Sequence, residues 1–277
     1  RDEAWAEAER SRIGEERFRR EHECEFLIFD ETLISSITLA DMEGVAPVET
    51  TGQVRWFKRP TPGHTYLVSL DPSMGTGGDY AAIQIFELPT FEQVGEWHHN
   101  QTPMNQQIRI LQGINKHIHD TIMEKDSTAT PQIFYSMENN TIGEAALMRV
   151  MDIGEENIVG MFLSEPIRKG HRRKFRRGFN TTAKHKIDAC TKFKELVEGG
   201  KMKINSQLLI SEMKDFVASG LSYKAKPGQH DDLVSSCLLM TRMMKVLADF
   251  DPKIFEKWTD RTSELTTPMP IFGNFYG

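Results

Sequence analysis

The sequence predicts an α/β fold built on a mixed sheet, an antiparallel meander followed by parallel crossover strands, flanked by helices. Three observations carry this. Extended apolar segments crowd between residues 64 and 99, two more at 131–138 and 157–163 alternate with helical stretches, and those stretches bear one-sided apolar stripes. A chain of 277 residues, 39% apolar and 27% charged, is long enough to bury one sizeable core.

Residues 1–23 alternate acidic and basic residues around Trp5, Ile13 and Phe18, the pattern of a surface helix or linker. "FLIFDETLISSITLADM" offers a short strand and a helix, and the Gly-, Pro- and Thr-rich stretch after it carries no helical period. The main domain is expected to begin at Gly63. "HTYLVSLD" (64–71), "YAAIQIFEL" (80–88) and "FEQVGEWHH" (91–99) read as three strands of a meander, the last two joined by a tight "PT" link. A helix follows with Thr102 as N-cap and Pro103 in its first turn, and Ile108, Leu111, Ile114, Ile118 and Ile122 form its stripe. "PQIFYSME" (131–138) is a fourth strand. A helix then starts at Thr141, with Glu144 completing a capping box, and "NIVGMFL" (157–163) is a fifth strand. Residues 183–198 form an amphipathic helix closed by Gly199 and Gly200, and "SQLLISEMKDF" forms a shorter one capped by Ser206. After "VASGLSYKAKPG" comes a last apolar helix opened by "HDDLVSS", and from Asp249 a Pro-containing tail that must dock to be ordered. The expected division is a linker at 1–62, a main domain at 63–248 and a tail at 249–277.

Composition narrows the function. A net charge of −6 argues against a wholly basic nucleic-acid-coating protein, although a local patch can override the average. Cys24, Cys190 and Cys237 are widely spaced and odd in number, so neither a disulfide framework nor a zinc knuckle is indicated. No apolar run has membrane-spanning length, and no signal peptide opens the chain, which starts at Arg1 as a piece of something longer would.

The chemistry sits in acids at element ends. Asp71 closes the first meander strand, Glu138 closes the fourth, and Asp231 and Asp232 open the last helix. The crossover rule makes strands one and four neighbours, so these termini can converge. Any single acid has a plain alternative: Asp231 or Asp232 as a helix cap, Asp71 and Glu138 as solvated turn residues. As a set in this order they suit Mg²⁺ or Mn²⁺, which take hard oxygen ligands, and two such ions about 4 Å apart serve phosphodiester hydrolysis. Which of Asp231 and Asp232 is the main ligand stays open. Asp79, within "GTGGDY", and His230 are further candidate members; "HH" at 98–99 reads as structural.

"IRKGHRRKFRRGFN" places seven Lys or Arg between 168 and 177 in an otherwise acidic chain. It is either a solvated basic loop, a dock for an acidic partner, or a DNA contact made by Arg172, Arg173, Lys174, Arg176 and Arg177 and extended by Lys184.

The segments "LDPSMGTGGDYAA", "SMENN", "GFNTTAKHK" and "HDDLVSS", spanning about 64 to 245, resemble the nuclease domain of the large terminase subunit of tailed bacteriophages, T4-like in look and part of the RNase H-like superfamily. The resemblance implies an RNase H-like sheet and a metal-dependent endonuclease with two Mg²⁺ or Mn²⁺ ions. Asp71, Glu138 and Asp232, with Asp231 beside it, match the metal-binding acids. It further implies concatemeric double-stranded viral DNA as substrate and, as partners, a packaging ATPase domain, a portal protein and a small terminase subunit, all in the host cytoplasm with no membrane. One departure is the lack of any GxxxxGK[ST] phosphate loop, so the motor half is absent and residues 1–62 would be the remnant that joins it. Two rivals remain: a catalytically silent DNA- or portal-binding module, and an actin- or sugar-kinase-like nucleotide-binding domain suggested by "DPSMGTGGD".

Overall fold

The computed structural model describes residues 3–14, 18, 31–166 and 177–250. After helix α1 (Glu3–Ile13) and a short helix α2 (Ser36–Asp41), nine strands and five longer helices follow among the described residues. Strands β1 (Glu49–Thr51), β2 (Val54–Trp56), β3 (Thr65–Asp71), β4 (Ala81–Leu88), β5 (Glu92–His99), β6 (Gln132–Met137) and β7 (Met161–Phe162) form one sheet in the order β1-β2-β5-β4-β3-β6-β7. β3, β4 and β5 pair antiparallel, and β3 and β6 pair parallel with Leu70 opposite Met137. The expected meander and the expected neighbour relation of the first and fourth strands are both present.

Strand alternation explains the layers. On β3, Tyr66, Val68 and Leu70 join the core under helices α3 (Met104–Lys125) and α4 (Thr141–Ile153), where Ile108, Leu111, Ile114, Ile118 and Ile122 supply the predicted stripe. Leu67, Phe86 and Phe134 face the opposite core, made with α5 (Ala183–Glu198), α6 (Gln207–Asp215) and α7 (Asp232–Phe250). The sheet is therefore covered on both sides. Ser69 and Asp71 continue the Leu67 face of β3 toward α7, so the strand's own period aims its terminal acid at the helix that carries the acidic doublet.

Several local expectations shift. Residues 31–62 share in the main core: β2 hydrogen-bonds β5, Val54 and Trp56 pack beneath α3, and Leu33, Ile34 and Leu39 join the α7-side core. The sheet therefore does not begin at Gly63. Helix α3 starts one residue later than expected, with Pro103 at the cap position. α4 is capped by Asn140, which accepts the Gly143 N–H (2.8 Å), in place of a Thr141 capping box. The fifth strand is only two residues long, because Glu155–Asn157 turn in a 3₁₀ helix and Gly160 takes a positive φ of 105°. "VASGLSYKA" is a hairpin, β8 (Phe216–Ser219) with β9 (Ser222–Ala225). The caps at Ser206 and the Gly199–Gly200 stop are as predicted. The tail from 251 and most of residues 15–30 lie outside the described residues.

Candidate metal centre

Asp71 and Glu138 arrive side by side because the parallel β3–β6 ladder runs to their doorstep: the Glu138 N–H donates to the Leu70 carbonyl at 3.2 Å. Both are partly exposed on the wall of a cavity of about 140 Å³, with Thr181, His185, Lys186 and Arg242 on its other walls. Burial, then the charges of Glu138 and Asp232, then a hydrogen bond to Glu138 and the charge of Asp231 push the Asp71 carboxyl well above the ordinary carboxylate range. Asp232 is pushed up to about 6, chiefly by burial, and is opposed by the Tyr80 N–H that donates to its Oδ2 (3.4 Å). Its neighbours Asp231 and Asp79 raise it further. The acids from three separate elements thus feel one another strongly.

The acidic doublet does not cap its helix. The backbone N–H groups of Leu233 and Val234 donate to Oε2 of Glu212, reaching across from α6, at 2.9 and 3.1 Å. A remote carboxyl does the capping, and the doublet is left to other work. Burial pushes Glu212 up to about 9 despite those two N–H groups, so a neutral acceptor suffices at this position. Glu212→Gln should accordingly hold the melting temperature, whereas Glu212→Ala should destabilise by about 1–2 kcal/mol through two orphaned N–H groups. Thermal unfolding of the two variants checks this, and equal losses would place the effect elsewhere.

The loop after Asp71 is held firmly. Gln107, fully buried on α3, accepts from the Ser73 N–H (3.3 Å) and donates to the carbonyls of Ser73 (2.8 Å) and Thr102 (2.7 Å). Gly75, at φ 68°, lies so close to the Thr102 carbonyl that a Cβ would stand 2.2 Å from it, so only glycine fits. Asp79 is exposed at the loop's far end, and His230 is exposed with Nδ1 3.7 Å from Asp232 and its ring edge-on to Tyr80. His98 stacks on Tyr80 (4.1 Å between centroids) and is held down to about 4, chiefly by burial.

Of the basic residues, Arg172, Arg173, Lys174 and Arg176 lie outside the described residues. Arg177 ion-pairs Glu155 and lies over the Phe162 ring, and Lys184 is exposed at the start of α5. The neck of this loop is closed beside the acids. Glu165 N–H donates to Gly178 O (3.2 Å), Phe179 N–H to Met137 O (3.1 Å), and Asn139 N–H to Phe179 O (2.7 Å), so the returning chain pairs with the end of β6 at Glu138. Arg242 ties the same neck, donating to Glu165, to Thr181 Oγ1 (2.9 Å) and to Asn180 O (3.0 Å). Lys186 Nζ stands 3.8 Å from Asp231. The sequence alone did not single out Glu212, His185 or Arg242; each is an ordinary helix residue until the elements are packed.

Among the described residues, no three Asp, Glu, His or Cys side chains already stand together at ligating distance. The donor chemistry nevertheless fits a hard divalent cation: Asp71 and Glu138 share one cavity wall, the charges of Asp232 and Asp231 add to burial in raising Asp71, and Asp231 adds to burial in raising Asp232.

A meander, a parallel crossover, carboxylates at the ends of two adjacent strands and more at the mouth of the last helix define an RNase H-like nuclease-type domain. The chain belongs to the family described as the terminase RNaseH-like domain, which matches residues 68–243. Among solved structures, the fold is shared with the large terminase nuclease from thermophilic phage G20c with bound magnesium. That match has 17% identity, covers 77% of this chain and 97% of that one, and has a TM-score of 0.56. The large terminase nuclease domain of Thermus phage P74-26 matches at 17% identity, 73% and 90% coverage and a TM-score of 0.52.

Proposed function

We propose that this domain is a divalent-metal-dependent endonuclease that hydrolyses phosphodiester bonds of double-stranded viral DNA as the cutting part of a DNA-packaging terminase large subunit. One observation supports this site assignment: Asp71 and Glu138 share a cavity wall within electrostatic reach of Asp232, while Glu212 relieves the doublet of helix capping. Asp71 and Glu138, with Asp232 or Asp231, would hold Mg²⁺ or Mn²⁺, two ions in the active complex. When bound, the metal supplies a Lewis acid for the phosphoryl oxygens and a lowered pKa for attacking water.

The protein's own part is positioning. Strand ends fix Asp71 and Glu138, and Gln107 holds the loop beyond Asp71 still. Across the cavity His185 is set by its Nδ1–H donation to Asn180 O (2.7 Å), and Lys186 brings positive charge to the side where a phosphate would lie. Arg172, Arg173, Lys174 and Arg176, together with Lys184, would neutralise phosphates of the DNA backbone. Family membership supports a terminase setting. The ATPase domain, portal protein and small terminase subunit as partners, a connection to the ATPase through the residues that precede the core-forming segment 31–62, and work in the host cytoplasm belong to this proposal. No helix among the described residues is long and apolar enough to cross a membrane.

Supercoiled plasmid incubated with the protein should be nicked and linearised in Mn²⁺ or Mg²⁺ and remain intact with EDTA. Intact plasmid under both conditions would favour a silent binding module, and ATP binding in calorimetry would favour the nucleotide-binding rival.

A further inference from the structure

The end of β3 and the start of α7 carry carboxylates of like charge, so something must keep the two elements in fixed relation. Leu233, Val234 and Cys237 are fully buried in the α7-side core, but apolar contact is non-directional and sets closeness better than axial position. Directional contacts come from two serines, both fully buried. Ser69 Oγ donates to the Ser236 carbonyl (2.9 Å), Ser236 Oγ donates to the Ser69 carbonyl (3.1 Å), and the two hydroxyl oxygens stand 2.8 Å apart.

Their placement is informative. Ser69 precedes Asp71 by one strand repeat, and Ser236 follows Asp232 by one helical turn, so each serine lies on the same face as the acid beside it. A buried hydroxyl pair costs desolvation that two small apolar residues would avoid. Same-face strand positions repeat at about 6.8 Å and helical turns at about 5.4 Å, so alternative seatings of α7 differ by ångströms, while ligation tolerates about 0.2 Å.

We propose that Ser69 and Ser236 form a register pin, a positioning pair that sets where α7 lies along β3 and thereby the spacing of Asp71 and Asp232. This rests on reading those two acids as ion ligands. Neither serine touches the ion or the DNA.

The test uses the full chain and Mn²⁺ alone as probe. Ser69→Ala/Ser236→Ala removes both hydroxyls together and orphans neither, so cooperative melting should persist. Calorimetric Mn²⁺ affinity should fall at least about ten-fold, plasmid cutting should fall at saturating Mn²⁺, and a crystal structure should show α7 displaced along β3. Affinity within about two-fold of the parent, with α7 unmoved, overturns the pin. Should the double variant fail to fold, Ser236→Ala, which keeps the Ser69 donation, is read the same way: an intermediate loss of Mn²⁺ affinity supports the pin and none overturns it. Asp71→Asn separates the two readings. If it leaves Mn²⁺ affinity unchanged, the ligand assignment fails, and the position of α7 in the double-alanine crystal structure then decides the pin by itself.

Discussion

Asp71→Asn should abolish plasmid cutting, by on the order of 10³-fold or more, while leaving the metal-free protein as stable as the parent or slightly more so. The two effects have one cause. Burial and the charges of Glu138 and Asp232 already hold the Asp71 carboxyl well above its ordinary range, so its charge is a cost to the folded state. In linkage terms, the raised folded value means stability that is full below the unfolded pKa and is lost as pH rises toward the folded one. Asparagine keeps the shape and removes that loss, and its amide can donate to Glu138. The measurements are cutting rates in Mn²⁺ and Mg²⁺ together with EDTA-treated melting curves near neutral pH. A variant that cuts normally, or one that cuts poorly only because it melts early, would make Asp71 a structural residue.

Replacing Arg172, Arg173 and Arg176 by Ala should weaken duplex DNA binding and lower the slope of log K against log salt by about 3, nearly one for each phosphate that is no longer neutralised. Arg177 behaves differently. Its guanidinium is committed to Glu155 and stacked over Phe162, so Arg177→Ala should lower stability at the loop neck and leave the salt slope close to the parent's. Fluorescence anisotropy over a salt series distinguishes the two sets. An unchanged slope in the triple variant removes the DNA role from this segment, and a slope change in Arg177→Ala would show that its ion pair opens for DNA.

Much of the fold could be read from the chain because its central strands are apolar runs ended by turn residues. "HTYLVSLD" and "PQIFYSME" announce both a strand and the acid at its end. β1 and β2 escaped notice because three-residue strands in a Gly- and Pro-rich stretch show no usable period, although Trp56 is buried in the core. The β8–β9 hairpin hid behind a two-residue turn at Gly220 and Leu221, with strands of only four residues. At the site, local sequence could only offer Asp231 and Asp232 as caps or ligands. The carboxyl that accepts the helix N–H groups is that of Glu212, which is remote in sequence and meets the helix only through the packing of α6 on α7. Arg242 likewise becomes part of the cavity wall only when α7 lies against the loop neck. Pattern reveals elements and their ends; what meets at those ends depends on tertiary placement.

The order in which the acids occur along the chain has a consequence for biosynthesis. Asp71 and Glu138 can pair once β6 has docked on β3, but the doublet arrives on α7, after more than ninety intervening residues have been made. On the proposed assignment, a ribosome-bound or prematurely ended polypeptide would own the strands without the full set of acids, so hydrolytic capacity would be acquired only late in synthesis.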